Sequence, residues 1–239
     1  MRFVDLQIDP AAQDLEEVLS FASELGYTDV GLVLNRSPSY EMRFHLKNAD
    51  RYKLNLVSRL NLFPKDPKDL LNLLKRYRLK YEIIAVSCDS FKVAKQAAKD
   101  RRVDLLNFPV GARPFFDRST AQLASVSNAT LEITLSDVIL NEGIQRVMAM
   151  NKILKEIQTA RNFKIPVILS SGARELHHLR GPREVIALGS TIGLTRIEAT
   201  DAITKSPLKR IERNREKMNP DYVPGVKLIR RAEFAGQRL

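Results

Sequence analysis

The amino-acid sequence predicts an α/β protein built as one TIM-like (β/α) barrel, complete or somewhat distorted. Three observations predict this fold. Short apolar runs alternate with amphipathic helical patterns about every thirty residues, the period of right-handed βα crossover units. The apolar runs carry few charges, as expected for parallel strands covered on both faces. No Gly-rich linker divides the 239 residues into separate units.

The first half of the chain contains five predicted strands with helices between them. The strands are expected at 2–7, 29–34, 54–62, 82–87 and 103–108. Helices are expected at 13–25, 67–77 and 91–99, and residues 40–52 are expected to be helical or irregular. The first helix has apolar residues at helical spacing and ends before Gly26, which suits a helix C-cap.

The second half continues the alternation. Strands are expected at 130–135 and 166–169, and helices at 117–125, 142–162, 182–193 and 198–217, the last with a candidate break at Pro207. The buried side of the longest helix is expected to comprise Val147, Met150, Ile153, Leu154 and Ile157. We expect one domain at 1–217 and a basic tail at 218–239, with a candidate strand at 226–229. A doubly wound open sheet is the alternative fold, because periodicity does not reveal closure.

A loop between the seventh strand and the next helix collects cationic side chains. Arg174, His177, His178 and Arg180 precede a helix that opens at Pro182. In α/β barrels the carboxyl ends of the strands form the ligand-binding rim, and a helix amino end attracts anions. The loop is therefore a candidate anion-binding segment, although solvated surface charge explains it equally well.

Positive charge is concentrated in two blocks of a chain whose formal net charge is +11. Residues 43–80 hold eleven Lys and Arg against three acidic residues, and residues 205–239 hold ten against four. This asymmetry favours a polyanionic partner, and nucleic acid rather than a membrane. The alternative is that the charge serves solubility alone.

Few features indicate cofactor or redox chemistry. Cys88 is the sole cysteine, so no internal disulfide forms, and it ends an apolar run where a small buried side chain is expected. Together with the absence of a membrane-length apolar run or a signal-peptide pattern, this predicts a cytoplasmic protein. Neither a G-x-G-x-x-G nor a P-loop motif is present.

Candidate metal ligands are sparse. The adjacent His177 and His178 are expected to diverge, and no H-x-H, H-E-x-x-H or cysteine cluster is present, so a zinc site is not expected. Asp5, Asp9 and Glu132 could together hold a hard cation such as Mg²⁺. The simpler interpretation, which we favour, is that these carboxylates orient arginines or cap loops. We assign no catalytic residue and no metal ligand.

Four stretches carry a family resemblance: FVDLQI at 3–8, VDLLNFP at 103–109, LEITL at 131–135, and VILSSGA followed by LRGPREVIALGSTIGL at 167–194. With these the chain resembles the archaeal family of ribonuclease P protein component 3. That family is similar to the PHP metal-dependent hydrolases, which implies a PHP-like, distorted barrel. Active PHP hydrolases carry H-x-H at the end of the first strand. The corresponding DLQID at 5–9 has no histidine, so the hydrolytic metal centre is expected to be lost.

The resemblance implies a non-catalytic protein subunit of ribonuclease P. Such a subunit binds the RNase P RNA and supports its cleavage of precursor tRNA, in which the RNA subunit carries the Mg²⁺ chemistry and the protein itself binds no cofactor. The implied partners are component 2, in a heterotetramer, and the other protein components. A degenerate PHP-type phosphoesterase is the alternative, and a pure protein scaffold is a third class.

Three groups of cations are candidates for RNA contact, because guanidinium groups match phosphate oxygens in two-pronged hydrogen bonds. They are Arg174, Arg180 and Arg183; Arg113 and Arg118; and Lys205, Lys209 and Arg210. The early block, with Lys47, Arg51 and Lys53, is a candidate for contacts at the periphery of the RNA. The acidic first helix is a poor RNA surface and is expected to face a basic protein partner.

Overall fold

The computed structural model is a parallel β-barrel surrounded by helices. It describes residues 1–9, 15–36, 40–112 and 115–219, with the backbone alone at 40–43. Within this described chain the strands are β1 Val4–Ile8, β2 Asp29–Val33, β3 Asn55–Leu62, β4 Ile83–Ser87, β5 Leu105–Asn107, β6 Thr130–Thr134 and β7 Val167–Ser170. All neighbours are parallel and the sheet order follows the chain, so the predicted barrel is confirmed and the doubly wound alternative is wrong.

The barrel closes between β1 and β7 through few contacts. Ile8 forms a parallel bridge with Ala173, and the Asp9 N–H donates to the Ala173 carbonyl at 2.9 Å. The Ser171 hydroxyl donates to the Gln7 carbonyl at 3.2 Å. Because a single bridge replaces the ladders that join the other neighbouring strands, the barrel is distorted there.

The helices form the outer layer. They are α1 Leu15–Glu24, α2 Tyr40–Lys47, α3 Pro67–Tyr77, α4 Phe91–Lys99, α5 Arg118–Ser127, α6 Ser136–Ile139, α7 Gly143–Asn162, α8 Pro182–Thr191, α9 Arg196–Ala202 and α10 Lys205–Met218, with 3₁₀ turns at Ala49–Tyr52 and Leu176–His178. Several begin where a short polar side chain accepts the free N–H three residues later. Asp66, Ser90, Asp117 and Thr195 do so for α3, α4, α5 and α9.

Aliphatic side chains from the strands fill the barrel interior. The cluster comprises Val4, Leu6, Val57, Ile83, Ala85, Leu105 and Ile168, and Ile211 of α10 joins it. At the same end Asn214 donates to the Glu82 carbonyl at 2.8 Å, just before β4 begins. Helix α10 therefore covers the amino-terminal end of the barrel and leaves the carboxyl ends of the strands open.

Several expectations about elements need correction. The predicted helix at 198–217 is two helices, and it breaks at Ile203 and Thr204 rather than at Pro207. Pro207 lies in the first turn of α10, where a missing N–H costs no helical hydrogen bond. Val147 is 51% exposed, because the buried residues of α7 begin only at Ala149. Strand β5 is also shorter than predicted.

The predicted basic tail at 218–239 lies almost wholly outside the described residues, as does the candidate strand at 226–229. Met218 belongs to α10. No helix of the described chain is both long and apolar enough to cross a membrane. Cys88 is buried, as predicted, and burial raises the pKa of its thiol.

Candidate functional site

The open end of the barrel holds a cavity of about 940 Å³. Polar side chains at the strand ends line it, among them Gln7, Asn61, Asn107 and Thr134, with Arg36 and Arg174 at the rim. A parallel barrel brings all carboxyl ends of its strands to one face, so residues far apart in the chain meet here. We call this end of the barrel, including the loops that follow the strands, the mouth face.

Arg59 and Glu132 form a buried ion pair below the cavity. Arg59 Nη1 donates to Glu132 Oε1 at 2.5 Å and Nη2 donates to Oε2 at 2.6 Å. Arg59 Nη1 also donates to the Leu6 carbonyl, and the Ser170 hydroxyl donates to Glu132 Oε1 at 2.7 Å. Both carboxylate oxygens are thus hydrogen-bonded to protein donors. Glu132 orients an arginine, the role that the simpler interpretation of the sequence gave it.

Asp5 stabilises the backbone of the seam. Its Oδ1 accepts from the N–H groups of Gln7 and Ser171 at 3.0 and 3.1 Å. Burial raises the pKa of Asp5, against the hydrogen bonds from Ser171 and Gln7 and the charge of Arg59. Among the described residues, Asp5, Asp9 and Glu132 do not converge as a three-ligand group. Their candidate role as one shared cation site is therefore not supported by the geometry.

Part of the cavity wall is a row of neutral polar groups, beside the carboxylates of Asp9 and Asp137, which also line it. The Asn107 amide donates to the Thr134 hydroxyl at 2.8 Å, and that hydroxyl donates to Gln7 Oε1 at 3.0 Å. Asn61 Oδ1 accepts from Arg59 Nε at 2.8 Å. Amides and hydroxyls donate and accept hydrogen bonds without carrying charge. The mouth can therefore hydrogen-bond to polar atoms, while the charge for attracting anions comes from the surrounding loops.

Three of the predicted RNA-contacting arginines lie on the mouth face. Arg174 lines the cavity, Arg183 lies in the first turn of α8, and Arg118 begins α5; all three are exposed. Helices that follow barrel strands begin at the carboxyl edge of the sheet, which places these residues around one opening. Within the described chain none of the three forms an ion pair.

Arg180 has a different environment. It is half-buried and its Nη1 donates to the carbonyls of His177 and Leu179 at 2.6 and 2.7 Å. Arg180 therefore stabilises its own loop, and a phosphate would have to share the guanidinium with these two carbonyls. Arg113 lies outside the described residues. Of the neighbouring aromatics, Phe116 is buried against Phe108 whereas Phe115 is 48% exposed.

The third predicted group lies at the opposite end of the barrel. Lys205, Lys209 and Arg210 are on α10, where they border a cleft of about 640 Å³. Arg210 is 8% exposed and donates to the Asn128 carbonyl and the Thr130 hydroxyl. Its burial and these hydrogen bonds count against the predicted RNA contact, because the guanidinium stabilises the packing of α10 beneath β6. Lys205 is exposed and pairs with Asp201 at 2.9 Å, and Lys209 is exposed.

The early basic block is exposed at Lys47, Arg51 and Lys53, and Arg51 pairs with Glu16 of α1 at 3.4 Å.

Sequence reasoning missed Arg36, and it noted Arg59 only as part of a strand. Arg36 follows the apolar strand β2, so its signal was a polar residue after a strand's carboxyl end, whereas Arg59 is a charged residue inside β3. The partner of Arg59 is on another strand, and no local pattern identifies it.

The family model for RNase P subunit p30 matches residues 2–219. Ribonuclease P protein component 3 of Methanococcoides burtonii is 27% identical over 205 residues, covering 85% of this chain and 83% of the relative. The same-named protein of Methanosarcina mazei is 27% identical over 229 residues, covering 93% and 92%.

Solved structures share the fold. A chain in the cryo-EM structure of archaeal ribonuclease P with mature tRNA superposes with a TM-score of 0.83 at 22% identity, covering 96% of this chain and 99% of that one. Histidinol phosphate phosphatase of Lactococcus lactis superposes with a TM-score of 0.51 at 6% identity, covering 89% and 94%. Both likenesses concern the barrel architecture.

Proposed function

The chain belongs to the RNase P subunit p30 family, and we propose that it binds the RNA of ribonuclease P through the mouth face and so supports removal of the 5′ leader from precursor tRNA. One observation carries the surface assignment. Arg118, Arg174 and Arg183 are exposed around one opening, and no carboxylate of the described chain pairs with them. Unpaired guanidinium groups in such an arrangement suit the phosphates of a folded RNA.

The proposed contribution of the protein is electrostatic. Folding an RNA brings phosphates together, and Lys and Arg reduce this repulsion while releasing condensed counterions. The neutral amides and the hydroxyl of the cavity wall add hydrogen-bonding groups that can reach a sugar or a base edge. Together they would hold a structured, partly single-stranded RNA segment against the mouth.

We assign the hydrolytic step to the RNA subunit and its Mg²⁺. Two observations on this chain support that assignment: Arg59 and Ser170 donate to the carboxylate of Glu132, and the Oδ1 of Asp5 accepts two backbone N–H groups. Asp5 and Glu132 therefore serve the fold, and the carboxylates that line the cavity itself are those of Asp9 and Asp137. No observation here favours the phosphoesterase alternative.

Component 2 of the same enzyme is the proposed protein partner, in a heterotetramer with this chain. The exposed carboxylates of α1, Glu17 and Glu24, lie on an element that carries no exposed Lys or Arg and repels RNA. A basic protein surface suits this helix better than a nucleic acid. Other protein components and precursor tRNA complete the proposed assembly.

The test of the RNA surface is binding and cleavage by a reconstituted enzyme carrying Arg174→Ala, Arg183→Ala or both. Each lost phosphate contact should reduce the slope of log K against log salt by about 1 and weaken binding at every salt concentration. Arg101→Ala is the matched control, since Arg101 is an exposed arginine in the turn before β5, at the other end of the barrel. Salt slopes equal to that of the wild type in Arg174→Ala, Arg183→Ala and the double variant would contradict the assignment.

A second experiment addresses the enzyme alternative. The isolated chain should not hydrolyse a chromogenic phosphodiester in the presence of Mg²⁺, Mn²⁺ or Zn²⁺. Turnover that disappears in Asp5→Ala, with the fold retained by circular dichroism, would restore the phosphoesterase hypothesis.

A further inference from the structure

The loop between β7 and α8 brings three potential metal ligands together. One ligand atom from each of Glu175, His177 and His178 lies within 4.8 Å of the other two. His177 Nε2 is 3.3 Å from Glu175 Oε2, and the two imidazole rings are 4.3 Å apart between centroids, inclined at 67°. The expectation that the adjacent histidines diverge is therefore wrong.

A tight turn explains this convergence. Leu176–His178 forms a 3₁₀ helix with Glu175 as its extended N-cap, and the His178 N–H donates to the Glu175 carbonyl at 3.0 Å. Side chains at i and i+3 of a 3₁₀ helix lie on the same side, which places Glu175 and His178 together. The imidazole of His177 then reaches the same point from the neighbouring position.

The turn is held independently of any ion. Arg180 donates to the His177 carbonyl at 2.6 Å, and the Tyr27 hydroxyl donates to the Arg180 carbonyl at 2.8 Å. The Leu179 side chain is 3% exposed and anchors the loop in the core. The three side chains are thus presented on a fixed backbone, which lowers the entropy cost of gathering ligands around an ion.

An unsatisfied nitrogen is the second, independent observation. His178 is 9% exposed, and no described residue hydrogen-bonds to its buried Nδ1. Buried polar groups without a partner cost on the order of 1–3 kcal/mol, and they are rare in folded proteins. Coordination of the imidazole to a metal is one way for such a group to gain its missing interaction.

We propose that Glu175, His177 and His178 bind a divalent transition-metal ion, with Zn²⁺ as the best match. Imidazole nitrogens and a carboxylate oxygen suit zinc and its first-row neighbours, whereas Mg²⁺ and Ca²⁺ prefer oxygen alone. Zinc–nitrogen and zinc–oxygen bonds of roughly 2.0–2.2 Å need the ligand atoms to move closer by small side-chain rotations. His177 is 72% exposed on its side chain, so solvent reaches the remaining coordination position.

None of the three residues of this site lines the cavity, and Asp5, Asp9 and Glu132 do not belong to the cluster. An ion bound here would restrain the three ligand side chains of the loop that carries Arg174 and Arg180. It would also add positive charge to that loop, and its open position could take water or a phosphate oxygen. The site itself requires no RNA, so it can be tested on the isolated chain.

The experiment is calorimetric titration of Zn²⁺ into the untagged, metal-stripped full chain, together with the visible spectrum of the Co²⁺ form. We expect one ion per chain and d–d bands of a nitrogen- and oxygen-ligated cobalt. His177→Ala and Glu175→Gln alter accessible side chains, so they should fold normally and weaken binding by about tenfold or more. Glu142→Gln, which removes an exposed carboxylate at the start of α7, is the matched control and should bind as the wild type does.

Two results would overturn the proposal. One is an unchanged zinc affinity in His177→Ala, which would locate any binding elsewhere. The other is a cobalt spectrum identical to that of hexa-aqua Co²⁺. His178→Ala should also lose the ion, and its melting temperature without metal shows whether that loss reflects the ligand or the fold.

Discussion

Arg59 and Glu132 form a bidentate ion pair inside the barrel, although they are 73 positions apart in the chain. The side chains are 1% and 0% exposed, so both charges are buried. The pair joins β3 to β6 across the barrel, and further hydrogen bonds to Leu6, Asn61 and Ser170 complete its surroundings. Paired and fully hydrogen-bonded, the two charges are tolerated where either one alone would not be.

We expect the contributions of Arg59 and Glu132 to the free energy of unfolding to be strongly coupled. Arg59→Met or Glu132→Leu alone leaves one buried charge without its partner and should lower the free energy of unfolding by about 3–5 kcal/mol. The double variant should lose clearly less than the sum of the two. Urea unfolding of the four proteins forms the double-mutant cycle, and additive losses would show that the pair is not energetically coupled.

Lys209 and Arg210 are neighbours on α10, but Lys209 is exposed whereas Arg210 is buried and is expected to stabilise the fold. Arg210→Ala removes the donors to Asn128 and Thr130 from a buried site and should lower unfolding free energy by about 1–3 kcal/mol. Lys209→Ala changes an exposed side chain and should remain within about 0.5 kcal/mol of wild type. Thermal unfolding of both variants compares them directly. Equal stability of the two variants would mean that Arg210 does not stabilise the packing of α10 on the barrel.

Glu198 should contribute an acid-sensitive part of the stability. Hydrogen bonds from the Arg161 guanidinium, together with the Thr195 N–H, lower the pKa of Glu198 to about 2 in the folded protein. The unfolded chain therefore binds the proton more tightly. The contribution is present above about pH 4.5, the ordinary range of a glutamate, and disappears as the pH falls towards 2.

Glu198→Gln tests this dependence, because glutamine retains a capping oxygen but not the charge. At pH 7 we expect a melting temperature lower by at most about 2–4 °C, since both partners are partly exposed and screened by solvent. The difference between the two proteins should shrink between pH 4.5 and 2, and also in 1 M salt. A difference that is constant over this pH range would exclude the charge as its cause.

Alanine substitutions at Gly172 and Gly26 distinguish the cost of backbone strain from the cost of steric overlap. Both have left-handed φ angles, +66° and +96°. A β-carbon at Gly26 meets nothing within 4 Å, whereas at Gly172 it would contact the Thr134 methyl group and lie 2.6 Å from the Ser136 hydroxyl. Gly26→Ala should cost about 1–2 kcal/mol, and Gly172→Ala distinctly more. Similar losses of unfolding free energy in the two variants, measured with denaturant, would show that Thr134 and Ser136 move aside for the added β-carbon at little cost.

Local patterns in the sequence predicted most elements well. Helices α3 and α4 begin and end where the sequence predicts, because a capping Asp66 or Ser90 and an apolar stripe act over one or two turns. The 198–217 segment was less well predicted. A helical pattern continues through Ile203, but the Ile203 carbonyl accepts from the Val4 N–H at the start of β1, a contact that no neighbouring residue reveals.

The sequence by itself determined the βα alternation, the burial of the strands, the family resemblance and the cationic loop after β7. These depend on the residue types within one element, which set hydrophobic periodicity, capping and charge. The tertiary structure alone decided that Arg59 meets Glu132, that Arg210 is buried under β6 while Arg174 remains exposed, and that His177 and His178 converge with Glu175. The physical reason is that partnership and exposure depend on which distant element covers a side chain, and that is settled when the barrel closes and α10 folds across its end.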